Sequence, residues 1–331
     1  MIVLGLESSC DETAAALVRD GREILSSVVS SQVEVHSRFG GVVPELASRK
    51  HLEAITLVVR EALDAAGLGL AAVEAVAVTQ GPGLIGSLLV GFSFAKALAY
   101  AGNLPWVGVN HLEGHVHALY LSGDPPEFPF VVLLVSGGHT GLYHVSSPTG
   151  MQLIGQTRDD AAGEAFDKVA KMLCLGYPGG AVIERIAREG DPAKIRFPRS
   201  YLDKEGFDFS FSGVKTAVAK YIALNREELR NRVPDIVAGF QEAVVEVLVF
   251  KLLRAAAARQ VGRVAVVGGV AANRRLRERL AADAGREGLK VHVPPPALCG
   301  DNAAMVAAAG YHLIQSGRRG ELDADVFSRN R

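Results

Sequence analysis

The same order of apolar runs and turns occurs twice along this chain, and that repetition limits the folds open to it more than any single motif does. Residues 2–7 read as a strand, Ser8 to Glu12 as a polar turn and 13–18 as a second strand. Asp20-Gly21 is a hairpin signal, and 23–31 is a third strand. A helix opens at Pro44, follows an apolar face through Leu52, Ile55, Val59 and Leu63, and stops at Gly67. A strand over 73–78, a glycine turn at 81–83, a helix over 84–100, a strand over 106–110 and a further helix complete the series. Asp124-Pro125-Pro126 reads as a linker, and the series then restarts. Strands over 130–135, 140–145 and 151–157 precede helices over 160–174 and 236–260, and a strand over 264–267 follows. A glycine turn, a helix over 271–284, a short strand over 290–294 and a final helix over 301–316 end it. The repeat is one of elements, not of identical residues.

Two α/β lobes are therefore expected, 1–126 and 127–331, as the length of 331 residues also favours. The second lobe includes the last helix and an insertion over about 175–235. That insertion is rich in Gly, Pro, Phe and basic residues and is expected to cover a central cleft. The arrangement resembles the duplicated ribonuclease-H-like architecture of actin, the sugar kinases and the heat-shock chaperone ATPases. A net charge of -1 supplies no global field for a polyanion, so any nucleic-acid contact must come from a local patch or a partner. Three scattered cysteines, Cys10, Cys174 and Cys299, point to a reducing cytoplasm rather than a disulfide framework. The first residues read as a strand, not a signal peptide. The uncharged stretch over 75–95 reads as strand, glycine turn and buried helix, so no membrane segment is expected.

In the stretch from Val107 to His117 an apolar run feeds directly into a helix. His111 and His115 are four apart and share one helix face, one turn apart. Two imidazoles so placed can hold one metal ion; the other reading packs one histidine in a core while its neighbour caps or is solvated. Their place just past a strand end, where α/β proteins put ligands, favours the metal. Asp301 opens the last helix, either as its N-cap or as a third, hard ligand. Two histidines and one carboxylate would leave a coordination position open.

Ser8-Ser9-Cys10-Asp11-Glu12 and Ser136-Gly137-Gly138-His139-Thr140 occupy matching places in the two series. Each can present backbone N–H groups to a phosphate, although each also serves as an ordinary hairpin turn. Asp11 and Glu12 add carboxylates that suit a proton or a metal-bridged phosphate, or simply a hydrogen-bonded turn. Gly268-Gly269 and Asn273 follow a buried strand and open a helix, where a ring or phosphate can approach the backbone; the alternative leaves Asn273 exposed. Asp167 is open to a ligand hydroxyl or to the helix dipole. Glu184 reaches the loop Tyr177-Pro178-Gly179-Gly180 or lies on a solvated face. Lys194, Arg196, Arg199, Lys204, Lys215 and Lys220 alternate with Phe197, Tyr201, Phe207, Phe209 and Phe211. The mix suits RNA, or a small core with a solvated face.

Together these stretches resemble the universal TsaD family of tRNA threonylcarbamoyladenosine transferases, over essentially the whole chain. The resemblance rests on Glu7 to Thr13, Gly41 to Arg49, the His111/His115 helix, Leu134 to Thr140 and Gly163 to Lys168. Phe209 to Gly213, Gly268 to Asn273 and Asp301 to Met305 complete it. It implies one iron or zinc ion on His111, His115 and Asp301. It also implies threonylcarbamoyl-AMP as donor, held by Leu134, Val135, Ser136, Gly137, Gly138, Asp167, Gly180 and Asn273 with Glu184 nearby; some family members carry Asp at that last position. The implied reaction moves threonylcarbamoyl to N6 of the adenosine beside the anticodon, in tRNAs reading codons that begin with A. The implied partners are tRNA, a TsaB-like paralogue and a TsaE-like P-loop ATPase.

Three other functions fit parts of the sequence. A zinc metallopeptidase would place its glutamate base next to the first histidine, whereas Glu113 is two along and about 200° around the helix from it. A kinase or chaperone-type ATPase explains the phosphate turns but not the histidines. A scaffold with a purely structural metal is the third.

Overall fold

The computed structural model describes residues 1–201 and 206–329. Contacts divide the chain into two compact units, Met1–Pro125 with Gly300–Arg331, and Pro126–Cys299. The last segment, placed in the second lobe by its position in sequence, therefore packs with the first unit.

The first unit contains β1 (Ile2–Glu7), β2 (Glu12–Arg19), β3 (Glu23–Ser31), α1 (Val33–Ser37), α2 (Pro44–Ala65), β4 (Ala75–Gly81), α3 (Ile85–Gly102), β5 (Trp106–Asn110) and α4 (His111–His117). The second contains β6 (Phe130–Val135), β7 (Thr140–Ser147), β8 (Gly150–Gln156), α5 (Ala162–Met172), α6 (Gly179–Ala187), α7 (Ser212–Leu224), α8 (Leu229–Arg259), β9 (Arg263–Val267), α9 (Arg274–Arg286) and β10 (Lys290–His292). The last helix, α10 (Ala303–Gln315), returns to the first.

The two sheets have one topology. The first runs β3-β2-β1-β4-β5 and the second, from its other edge, β8-β7-β6-β9-β10. In each, the leading three strands pair antiparallel and the last two add in parallel. Short turns permit the antiparallel pairs; the parallel ones need the helical crossovers that the doubled sequence pattern announces.

Alternation along β1 decides what each face meets. Leu4 and Leu6 join Leu17, Val76 and Val78 in a core with Ile55 and Val59 of α2 and Phe92 and Ala95 of α3. The α2 face differs from the expected one in one place: Leu52 is exposed and His51 is buried. His51 turns inward because Thr13 Oγ1 meets its Nδ1 at 2.8 Å and the Cys10 carbonyl its Nε2 at 3.0 Å. Among the described residues one helix, α3, is long and apolar enough to cross a membrane. It is buried along one face only, through Leu88, Phe92, Ala95 and Ala99, while Ile85 and Leu89 are exposed.

On the opposite sheet face α10 lies flush. A Cβ on Gly5 would run into the Ala303 carbonyl and Ala307, and one on Gly310 into Ala77. The buried alanines of α10 are small for the same reason. Gly310→Ala is therefore expected to destabilise the protein by about 1–3 kcal/mol through overpacking. Gly285→Ala, at a helical position with open space around it, should stabilise by about 0.5–1 kcal/mol. Urea denaturation midpoints of the two variants should thus move in opposite directions.

In the second unit the insertion contributes core rather than a free surface. Ile183, Ile195, Phe197, Phe209, Phe211, Val214 and Val218 are buried with β6, β9, α5 and α8. Lys215 pairs with Asp160, Lys194 with Asp235 and Arg199 with Glu246, while Arg196 and Lys220 are exposed. The aromatic half of the basic, aromatic stretch is thus largely packing; Lys204 lies outside the described residues.

Candidate metal centre and glycine-lined site

β5 ends at Asn110, whose side chain caps α4 by accepting from Leu112 N at 2.9 Å. That cap starts the helix at His111 and puts His111 and His115 on one face. Their rings meet edge to face with centroids 4.7 Å apart. Asp301 joins them, its Oδ1 3.5 Å from His111 Nε2 and 3.2 Å from His115 Nε2. Asp301 is spared the capping of α10 because Asn302 does it, accepting from Met305 N at 3.0 Å.

These residues fit a metal ion. Their ligand atoms lie within 4.8 Å of one another. Ligands about 2.1 Å from a tetrahedral zinc are about 3.4 Å apart, close to both distances above and longer than a good hydrogen bond. His115 is buried, yet neither ring nitrogen has a hydrogen-bond partner among the described residues. A buried imidazole that makes no hydrogen bond, with only the Asp301 carboxylate facing it, is costly unless a cation completes it. The field points the same way: burial opposes a charge on His111, but Asp301 and Glu7 outweigh it and push its pKa up to about 9. The negative charge of Asp301 and Glu7 that holds this proton equally favours a cation, which must displace the proton to bind.

Behind His111 stands Glu7, wholly buried at the end of β1. Its Oε2 lies 3.1 Å from His111 Nδ1 and accepts from Thr79 Oγ1 at 2.6 Å, and its Oε1 accepts from Ser9 N at 2.5 Å. Burial would raise its pKa; the His111 charge and these hydrogen bonds prevail and hold it below the ordinary carboxylate value. No spacing or motif in the sequence ties Glu7 or Thr79 to the metal ligands. The available signal was an acid closing an otherwise apolar strand, beside a serine pair.

Asp11 and Glu12 follow on the β1–β2 turn. Burial raises the pKa of both; that of Glu12 reaches about 7, with the charges of Asp11 and Asp301 adding to the effect and the Ser31 hydroxyl opposing it. Ser31 Oγ donates to Glu12 Oε1 at 2.8 Å, while the buried Oε2 has no hydrogen-bond partner among the described residues. Glu113, the acid a peptidase would need, is influenced by Arg318 and is not part of the His111–His115–Asp301 group.

In the second unit the β6–β7 turn is closed by Ser136 N donating to the His139 carbonyl at 2.8 Å and His139 N to Ser136 Oγ at 3.1 Å. Leu134 and Val135 are fully buried, which leaves only their backbone for a ligand. Gly163, in the first turn of α5, approaches so closely that a Cβ would lie 2.5 Å from the Ser136 carbonyl. Gly268, with φ +91°, packs its turn against Val135 in the same way. By contrast, a Cβ on Gly137, Gly138, Gly180 or Gly269 would meet nothing within 4 Å. None of those four has positive φ, so neither packing nor backbone conformation within the chain calls for glycine there.

Asp167 Oδ1 accepts from Gly179 N at 2.8 Å and ties α5 to the start of α6, beside Gly180. Glu184 pairs with Arg188 at 3.0 Å and accepts weakly from Arg274 N at 3.4 Å. Asn273 is buried rather than exposed: its Oδ1 caps α9 at Leu276 N, 3.0 Å away, and its Nδ2 donates to Gln241 Oε1 at 2.8 Å. A cavity of about 360 Å³ is lined by Glu184, Ala187, Arg188, Gln241, Arg274, Arg275 and Glu278.

Two five-stranded mixed sheets of one topology place the chain in the structural class of the actin-like ATPases. Solved structures agree on the fold. Full-length HypF in its phosphate- and nucleotide-bound form superposes with a TM-score of 0.62 at 13% identity, covering 99% of this chain and 56% of that one. Component A of the (R)-2-hydroxyglutaryl-CoA dehydratase of Acidaminococcus fermentans gives 0.58 at 16% identity, covering 96% and 100%. At the sequence level, the family model for TsaD, tRNA N6-adenosine threonylcarbamoyltransferase, matches residues 23–308. Curated proteins of that name are similar end to end: one from Desulforapulum autotrophicum is 63% identical over 331 residues, covering 100% of this chain and 99% of its own length. One from Syntrophobacter fumaroxidans is 57% identical over 317 residues, covering 94% of each. The chain belongs to the TsaD family.

Proposed function

We infer that this protein is a tRNA N6-adenosine threonylcarbamoyltransferase, a reading carried by 63% identity along the whole chain to a protein of that name. We assign threonylcarbamoyl-AMP as donor and, as acceptor, N6 of the adenosine on the 3′ side of the anticodon in tRNAs that read ANN codons. The N6 nitrogen attacks the carbamoyl carbon, the bond from that carbon to the phosphate oxygen breaks, and AMP leaves as a stable anion while N6 gives up a proton. Because N6 is conjugated with the purine ring it is a poor nucleophile, so the enzyme must hold both reactants in place and activate the carbonyl.

His111, His115 and Asp301 are the residues suited to hold one iron or zinc ion. Such an ion would act as a Lewis acid on a donor oxygen. The β6–β7 turn and the open glycines of the second unit suit the AMP part, because exposed backbone N–H groups favour a phosphate. Asp167, Gly180 and Glu184 are assigned to its ribose and base; Asn273 supports that site as a cap while Gln241 engages its amide. For the proton released at N6, Glu12 is the better suited of the two turn carboxylates, since its pKa of about 7 matches the working range of a general base. We place the enzyme in the cytoplasm with a TsaB-like paralogue and a TsaE-like ATPase as partners. With a net charge of -1, it would meet tRNA through local basic groups or those partners.

The test is reconstitution with unmodified tRNA, threonine, bicarbonate, ATP and partner extracts, followed by nucleoside analysis. Threonylcarbamoyladenosine should form only when this chain is added; its formation without the chain, or its absence with it, would refute the assignment. A second measurement addresses the glycines. Gly137→Ala should leave the thermal midpoint within about 1 °C, because its Cβ meets nothing, yet weaken binding of AMP or a stable donor analogue at least about tenfold. Unchanged binding would remove the β6–β7 turn from the donor site.

A further inference from the structure

We propose that Glu7 is a positioning residue for the metal centre, fixing His111 with its proton on Nδ1 and its Nε2 lone pair directed at the cation. The inference rests on the reading that His111, His115 and Asp301 hold a divalent ion. Three donors converge on the Glu7 carboxylate: Ser9 N, Thr79 Oγ1 and His111 Nδ1. A carboxylate only accepts, so the nitrogen 3.1 Å from Oε2 must be the protonated one. The Ser9 hydroxyl, 3.3 Å from the same nitrogen, can donate or accept and fixes nothing. With Nδ1 committed to Glu7, the Nε2 facing Asp301 is the nitrogen left to give its lone pair to a cation, which displaces any proton held there.

The carboxylate is itself held rigidly. Thr79 occupies the same oxygen as His111, and Ser9 N holds the other, so the group has no free rotation in a wholly buried site. Nothing comparable stands behind His115, whose Nδ1 has no hydrogen-bond partner among the described residues. The two imidazoles are therefore unequal, and His111 is the preset one. Charge balance adds to this. With neutral imidazoles, Asp301 and Glu7 bring two negative charges that a divalent ion neutralises, so Glu7 favours a dication without touching it.

The experiment measures Zn²⁺ affinity by competition with a chromophoric chelator and follows Co²⁺ optically in the full-length protein. Wild type, Glu7→Gln, Thr79→Val, Ser9→Ala and His111→Ala are compared. Glu7→Gln should weaken Zn²⁺ binding about 10–100-fold and alter the Co²⁺ spectrum, the size of effect that outer partners of ligating histidines have. Thr79→Val leaves the carboxylate but removes the hydroxyl that aims it, and should weaken binding by about 3–10-fold; it carries the test if Glu7→Gln does not fold. Ser9→Ala should change affinity less than Thr79→Val. In the Zn²⁺-loaded wild type, imidazole ¹⁵N resonances of His111 should show a protonated Nδ1. Wild-type affinity in both Glu7→Gln and Thr79→Val, with His111→Ala still losing the ion, overturns the role of Glu7 alone. Equal Zn²⁺ binding by wild type and His111→Ala overturns the metal reading and this inference with it.

Discussion

Replacing His111 by alanine is expected to abolish both metal binding and threonylcarbamoyl transfer, and to destabilise the protein by about 3–5 kcal/mol. The first two effects follow from losing one of three ligands. The third follows from Glu7, whose fully buried carboxylate would lose the His111 N–H that answers its charge. His115→Ala gives the comparison. It should lose metal and activity as completely, but with a smaller loss of stability, because the carboxylate facing His115 is the partly exposed Asp301 rather than a wholly buried one. Metal content by elemental analysis, transfer by nucleoside analysis and chemical denaturation separate the three effects. Wild-type turnover in either metal-free variant would end the claim that the ion takes part in transfer.

Glu12→Gln should make the protein more stable and much less active. The folded protein raises the Glu12 pKa from 4.5 to about 7, chiefly by burial. A raised acid favours folding only while protonated, so its contribution is full below about pH 4.5 and is lost as pH rises through 7. The full shift corresponds to about 3 kcal/mol, and screening of this half-buried group leaves about 1–2 kcal/mol. Glutamine removes that penalty, so the variant should unfold later than wild type at pH 8 and show no such advantage at pH 4. Transfer should fall about 10²–10⁴-fold, and the wild-type rise in rate through pH 7 should flatten. An unchanged pH profile would assign the proton to another group, Asp11 first among them. Loss of stability at pH 8 would mean that the Ser31 hydrogen bond outweighs the desolvation.

Much of this architecture was legible because it is written in local patterns. The strands Glu23–Ser31, Trp106–Asn110 and Phe130–Val135 have the limits that their sequence predicts, since apolar runs bounded by turn residues carry their own punctuation. His111 and His115 share a face because four residues of helix allow little else. Local pattern does not decide a residue's place where that place depends on a distant partner. Leu52 fits an apolar stripe better than His51 does, yet Thr13 and Cys10 draw the histidine inward. Phe197, Phe209 and Phe211 among basic residues fit a stacking surface or a small core equally by pattern, and their burial in the second unit selects the core.

From the sequence alone came the doubled order of strands and helices, the glycine turns and the kinds of side chain able to hold a metal and a phosphate, all properties of neighbours in the chain. The tertiary structure decided that α10 joins the first sheet, because only an alanine-rich helix can lie against Gly5 and Ala77. That docking brings Asp301 to the histidines and leaves the capping to Asn302. It also decided that Glu7 stands behind His111: alternation along β1 turns it away from Leu6 and into a buried place where a carboxylate persists only if donors surround it.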